Sequence, residues 1–166
     1  MDHIRRVVLG LGSNVGDRVK NLNEAIAALR KDRDMHVLSV SPFYETDAVP
    51  TPEWKGPPQP KFVNGAVLVL TSLPAAEMLE RMLVIEKDLG RERTVPSDKG
   101  PRTIDLDLLW IEGEAVDEPG LRVPHPRLRE RAFALRPLLD LASDARDEQG
   151  AAYADCPEAK TALDKI

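Results

Sequence analysis

Residues 103–108 read Thr103-Ile104-Asp105-Leu106-Asp107-Leu108, and polar and apolar side chains alternate strictly along them. That period of two is the mark of a β-strand with one apolar and one polar face. Immediately before it, Arg91 to Arg102 is a polar loop. Before that, Ser72 and Pro74 open a helix whose Ala75, Met78, Leu79, Met82 and Leu89 form an apolar stripe, closed by Gly90. Further back, Phe62 to Leu70 (FVNGAVLVL) is a nearly continuous apolar run, as expected of an inner strand, and His36 to Tyr44 (HVLSVSPFY) is rich in β-formers. The chain begins with a strand, Arg6 to Leu11, that ends in the turn Gly12-Ser13-Asn14-Val15-Gly16-Asp17. Asp17 then caps a helix with Val19, Leu22, Ile26 and Leu29 on one face. The order is βαββαβ, which predicts an α+β fold with a ferredoxin-like antiparallel sheet and both helices on one side. Beyond Leu108, Glu112-Gly113-Glu114 predicts a turn into a further hairpin, and Pro126 to Leu141 predicts helical turns broken at Pro137. Covering the second face with that segment makes an α/β/α sandwich.

The length of 166 residues predicts a single domain, with a core from about residue 4 to 141 and an acidic C-terminal tail over 142–166. At this size no metal or disulfide staple is required for stability. The single cysteine, Cys156, reads as an inert tail residue and suits a reducing compartment, so a cytoplasmic protein is expected. The opening MDHIRRVVLGLGSN is too short in its apolar run for a signal segment or a membrane span. The net charge is −5 and aromatic residues make up only 4% of the chain, which argues against a nucleic-acid partner held by basic or stacking surfaces. Small anions are another matter. From Arg122 to Arg136 there are five arginines and one acid, Glu130, so local positive potential coexists with a negative total.

Two carboxylates two residues apart on a strand share one side, about 7 Å apart along the chain. Asp105 and Asp107 are such a pair, and hard oxygen donors in that arrangement suit Mg²⁺ carried in with phosphates. A solvated acidic face paired to neighbouring arginines is the alternative. Arg91, Arg93, Lys99 and Arg102 in the preceding loop add cations for phosphate oxygens. The Gly12 turn lacks both the Walker ending and the dinucleotide glycine spacing, so a plain tight turn is expected there. His125, in Val123-Pro124-His125-Pro126 and followed by Arg127, Arg129 and Arg131, is the histidine best placed for chemistry; a structural hydrogen-bonding role suits it equally. Asn64 is a polar interruption in an apolar strand, and its amide needs partners from backbone or from the edge of a heterocycle. Phe62 and Phe133 offer ring-stacking surfaces or ordinary core packing. Residues 45–61 (ETDAVPTPEWKGPPQPK) hold five prolines without periodicity, a long connection of the kind that is functional or disordered, with Trp54 as its anchor or as an exposed residue.

Gly12-Ser13-Asn14, Phe62-Val63-Asn64, Gly90-Arg91-Glu92-Arg93, Gly100-Pro101-Arg102-Thr103-Ile104-Asp105-Leu106-Asp107-Leu108 and Val123-Pro124-His125-Pro126 occur in this order. The set resembles the 6-hydroxymethyl-7,8-dihydropterin pyrophosphokinase family of folate biosynthesis, from about Val7 to Leu141. The resemblance implies a ferredoxin-like sandwich and transfer of pyrophosphate from ATP to the hydroxymethyl group of the pterin, with release of AMP. It implies that Asp105 and Asp107 bind two Mg²⁺ ions bridging the ATP phosphates, and that Arg91 and Arg102 act with them in catalysis. ATP would also meet Glu86, Leu108, His125 and Arg131. The pterin would lie between Phe62 and Phe133, with Asn64 reading its polar edge and Thr46 lining the pocket. Both loops would then be lids, and a monomer with no membrane or nucleic-acid partner is expected.

Two positions depart from the family pattern. Lys99 stands where relatives often have tryptophan, and Gly120-Leu121-Arg122 stands where many read Arg-Leu-Thr; both concern nucleotide contacts and neither touches the carboxylates. Two other classes fit a ferredoxin-like domain. A regulatory small-molecule module would need neither carboxylate, so Asp105→Ala would leave it intact, and a nucleic-acid binder would show steeply salt-dependent affinity.

Overall fold

The computed structural model describes residues 3–49, 52, 54–90 and 103–166. Its main sheet has six strands. β1 (Arg5–Ser13) lies at the centre, antiparallel to β4 (Phe62–Thr71) on one side and to β5 (Asp105–Ile111) on the other. The far edge of β4 is shared by β2 (His36–Val40) and β3 (Tyr44–Thr46). Counting β2 and β3 as one broken strand, the order is that of the ferredoxin-like sheet expected from βαββαβ.

Side chains alternate across β1 and sort into two cores. Val7, Leu9 and Leu11 join Val63, Val67, Val69, Leu106 and Leu108 beneath α1 (Arg18–Lys31) and α2 (Ala75–Asp88). On the opposite face Val8, Ala66, Leu68, Leu109 and Trp110 meet Leu128, Leu135 and Leu138. The last two come from α3 (Ala132–Leu141), which completes the α/β/α sandwich. Both cores depend on β5, whose register with β1 shifts between Val8 and Leu9 so that Leu109 and Trp110 both enter the second core. Asp17 accepts a hydrogen bond from the Lys20 N–H at 3.2 Å, capping α1 as its sequence predicts.

Three expectations change. The strand predicted over 36–44 is broken in two, because Pro42 has no N–H for the ladder. Ser41 bridges the gap: its N–H donates to the Ala66 carbonyl and its hydroxyl accepts from the Ala66 N–H, each at 2.9 Å. The break predicted at Pro137 does not occur. α3 runs through it, since Leu135, Pro137 and Leu138 are all buried and their packing outweighs the one lost backbone bond. The core does not stop at Leu141 either. Ala142, Ala145, Tyr153, Cys156 and Ala159 belong to the second core, and β8 (Asp164–Lys165) adds a strand beside β3. Cys156 is therefore a buried core residue, with the Arg129 guanidinium donating to its sulfur at 2.6 Å.

The hairpin predicted at Glu112–Glu114 forms as β6 (Val116–Glu118) and β7 (Leu121–Val123), with Gly113 and Gly120 at φ +72° and +76° in its turns. Among the described residues no helix is long and apolar enough to cross a membrane.

Candidate functional site

The face of the sheet turned toward α3 changes character at one end. Along one row of the register Asp105, Gly12, Asn64 and Tyr44 lie side by side on β5, β1, β4 and β3; in the next row Asp107, Gly10 and Ala66 do so. Two strand spacings separate the backbones of Asp105 and Asn64, about 10 Å. Between them the floor is glycine. A Cβ on Gly12 would fall 2.8 Å from Asn64 Oδ1 and 3.5 Å from the Phe62 ring, and one on Gly10 would fall 3.0 Å from Leu109 Cδ1. The sequence thus leaves β1 a trough into which the Asn64, Phe62 and Leu109 side chains lean, with a carboxylate pair on one bank and an amide and a phenyl ring on the other.

On the amide bank, Asn64 is 7% exposed and donates through Nδ2 to Thr46 Oγ1 at 2.5 Å. Thr46 pairs with Phe62 across the β3–β4 ladder, so Thr46, Phe62 and Asn64 present one surface. The buried amide is only partly satisfied by that bond, since it offers two acceptor lone pairs and a second N–H as well. Tyr44, next along, donates its hydroxyl to the Asp140 carboxylate of α3. Burial and that bond push its phenol up to about 12.

Opposite the sheet, the segment before α3 supplies cations. The His125 N–H donates to the Leu109 carbonyl at 3.0 Å, which fastens His125 to β5. Its Nδ1 accepts from the Arg127 N–H at 3.2 Å, so the neutral ring carries its proton on Nε2. Burial and then the Arg131 charge hold its pKa below the ordinary histidine value, while Asp105 pulls the other way. Of the five arginines from 122 to 136, Arg122, Arg127 and Arg129 pair with Asp117, Glu130 and Asp147. Arg136 donates to the Ala159 carbonyl. The Nε atoms of Arg131 and Arg136 are both buried with no hydrogen-bond partner among the described residues; Arg131 differs in that its guanidinium lies 5.7 Å from the Phe133 ring centroid and within electrostatic reach of Asp105 and Asp107. Burial lowers its pKa, with Asp107 and Asp105 opposing. An arginine that faces a carboxylate pair with an unused donor is arranged to share an anion with whatever those carboxylates bind.

Glu86 and Leu108 sit elsewhere. Glu86 is 2% exposed on α2, and its carboxylate accepts from the Leu106 N–H at 2.8 Å, so it holds β5 from behind. The Leu108 side chain lies in the first core, across the sheet from Asp105 and Asp107. Arg91, Arg93, Lys99 and Arg102 lie outside the described residues. Trp54 is half-buried, packed on Gly56 and donating its indole N–H to the Pro57 carbonyl at 2.8 Å. Ser13 and Asn14, read from sequence only as part of a turn, are buried, and Asn14 Nδ2 donates to Gln59 Oε1 at 3.0 Å and to the Pro60 carbonyl at 3.2 Å. Polar residues directly after an apolar strand signal a turn, and nothing local announces their burial because Gln59 and Pro60 lie far along the chain.

A family model described as 7,8-dihydro-6-hydroxymethylpterin-pyrophosphokinase matches residues 8–143. The 2-amino-4-hydroxy-6-hydroxymethyldihydropteridine pyrophosphokinase of Bacillus subtilis is 42% identical over 147 residues, which cover 89% of this chain and 84% of that protein. The protein of the same name from Pseudomonas aeruginosa is 38% identical over 148 residues, covering 89% and 86%. A crystal structure of Plasmodium falciparum HPPK-DHPS with SDX-DHP superposes with a TM-score of 0.67 at 14% identity. It covers 92% of this chain and 44% of that one, and at that identity it speaks for the fold alone. With the family model spanning both banks of the trough and the cations above it, the chain belongs to the 7,8-dihydro-6-hydroxymethylpterin-pyrophosphokinase family.

Proposed function

We propose that this chain transfers the β,γ-pyrophosphoryl group of ATP to the hydroxymethyl oxygen of 6-hydroxymethyl-7,8-dihydropterin. The observation that carries the reading is the register Asp105–Gly12–Asn64, which sets a metal-type carboxylate pair and a heterocycle-type amide about 10 Å apart over a glycine floor. In the reaction the hydroxymethyl oxygen bonds to the β-phosphorus as the bond from that phosphorus to the α,β-bridging oxygen breaks. AMP leaves with the bridging oxygen, and the hydroxyl proton passes to solvent or phosphate.

The donor set fits a magnesium ion that arrives with the nucleotide. Asp105 and Asp107 supply hard oxygens, and no group of three or more acidic, histidine or cysteine side chains able to hold a metal occurs among the described residues. Two carboxylates leave most of an octahedral shell for phosphate oxygens and water. Two such ions would be held by this pair, neutralising charge on the attacking and leaving oxygens. Arg131 and the Nε2–H of His125 bind the nucleotide from the side of α3, with Arg91 and Arg102 completing the charge around the phosphates. Leu108 meets the nucleotide through its backbone, and Glu86 serves by fixing β5. On the other bank Phe62 and Phe133 stack the pterin, Asn64 reads its amide edge and Thr46 holds Asn64 in place. Rate enhancement comes from positioning and charge neutralisation.

Separation of the nucleotide products decides the reading. Protein incubated with ATP, Mg²⁺ and the pterin should release AMP only when the pterin is present. Pterin-dependent ADP would overturn the reaction type, and no pterin-dependent nucleotide product from folded protein would overturn the reading as a whole.

A further inference from the structure

The hairpin that carries the amide bank is held from its reverse side by one arginine. Side chains alternate along β3, so Thr46 faces the trough with its partner Phe62, while Glu45, paired with the core residue Val63, faces α1. There Arg18, the first residue of α1, makes a fork. Its Nη2 donates to Glu45 Oε2 at 2.7 Å and its Nη1 donates to the Lys61 carbonyl at 3.0 Å. Glu45 lies at the end of the strand that leaves for the proline-rich connection and Lys61 at the point where that connection returns. One guanidinium therefore joins both stems of a connection spanning residues 47–61. Three further contacts act on the same stems. Asn14 holds the returning stem at Gln59 and Pro60, and Lys61 Nζ lies 3.8 Å from Asp47 Oδ1 on the outgoing one.

We infer that Arg18 is a positioning residue for the pterin half of the reaction: it fixes the separation of the β3 and β4 stems from behind, and through them the placement of Thr46, Phe62 and Asn64. This rests on the pterin assignment above. Arg18 lies on the opposite side of the sheet from the trough, so it acts through the hairpin alone. Glu45 and Arg18 side chains are 35% and 30% exposed, open enough for either residue to be replaced without emptying the core. A lysine would keep the charge but loses the planar fork that reaches two acceptors at once. The carboxylate bank is built on β5, which shares no bond with Arg18 among those the structure gives it, so the two substrates should respond differently.

The test is steady-state kinetics with each substrate varied in turn, on Arg18→Met, Arg18→Lys, Glu45→Gln and the double variant Arg18→Met/Glu45→Gln. Arg18→Met should raise the pterin KM by roughly tenfold, since small misplacements of positioning groups carry large kinetic costs. The ATP KM and kcat should stay within about twofold, as expected for loss of binding that is uniform between ground and transition states. Arg18→Lys should recover part of the loss, and the double variant should resemble Arg18→Met alone, because the two residues act as one unit. Equal rises in both KM values, strict additivity, or unchanged pterin KM in Arg18→Met and Glu45→Gln would overturn the inference. Absence of pterin-dependent AMP with the unaltered protein would instead overturn the functional reading on which it rests.

Discussion

The two faces of the central sheet are built from the same strands and are filled differently. Toward α1 and α2 every second residue of β1 is a branched aliphatic, Val7, Leu9 and Leu11, and the packing is continuous to the strand's end. Toward α3 the corresponding series is Val8, Gly10 and Gly12, so apolar packing fades while the strand and its hydrogen bonds go on. A strand that keeps its ladder but carries no side chains of its own lets those of its neighbours lean across it, Asn64 and Phe62 over Gly12 and Leu109 over Gly10. Stability should therefore reside in the two cores and activity at the glycine end of the α3 face.

The largest effect should come from the glycine end of the α3 face. Asp105→Asn should lower pterin-dependent AMP formation by roughly 10²–10³, the scale for deleting one preorganised electrostatic contact, and move the melting temperature little. On the filled face Leu9→Ala should cost about 2–5 kcal/mol of stability in chemical denaturation, because Leu9 is 0% exposed at the centre of the first core, while the fraction still folded keeps its turnover. Gly12→Ala sharpens the contrast, since it fills the floor: the new methyl displaces Asn64 Oδ1, and the pterin KM should rise about tenfold or more with little loss of stability. Tyr44→Phe should cost about 1 kcal/mol by leaving the Asp140 carboxylate without its donor.

Two pH dependences complete the series. The Tyr44 phenol is raised from 10.0 to about 12, so folding favours the protonated form; that share of stability is present below pH 10 and is lost as pH rises toward 12, and spectrophotometric titration of Tyr44→Phe should lack this late transition. The smallest effect belongs to His125, lowered from 6.5 chiefly by burial. The unfolded chain takes up the proton first as pH falls below 6.5, so stability declines there, and His125→Gln should flatten that slope.

Much of the arrangement was legible in the sequence because it rests on local periodicity. The strict alternation of 103–108 places Asp105 and Asp107 together, the 3.6-residue stripes define α1 and α2, and the βαββαβ order sets the sheet. Legibility ended where partners are distant or where packing overrides local preference. Nothing near Pro137 announces that burial of Leu135 and Leu138 carries the helix through it. The residues from Ala142 to Ala159 look like a charged tail because their small apolar side chains are spaced irregularly among acids, yet Asp144 and Asp147 are the partners of Arg6 and Arg129 and the alanines complete the second core. For the site, residue types pointed to Asn64, Phe62 and His125, and family resemblance added Thr46, Glu86 and Leu108. The glycine floor and the Arg18 fork depend on register and on contacts across the chain, which composition and spacing do not encode.

The division between the cores that hold the fold and the glycine end that does the work is tested most directly by one paired measurement. Asp107→Ala and Leu9→Ala would be compared side by side for pterin-dependent AMP release and for melting temperature. Asp107→Ala should lose AMP release while melting near the unaltered protein, and Leu9→Ala should melt well below it while the folded fraction keeps its turnover. Retention of AMP release by Asp107→Ala, or a melting loss in it as large as that of Leu9→Ala, would contradict the claim.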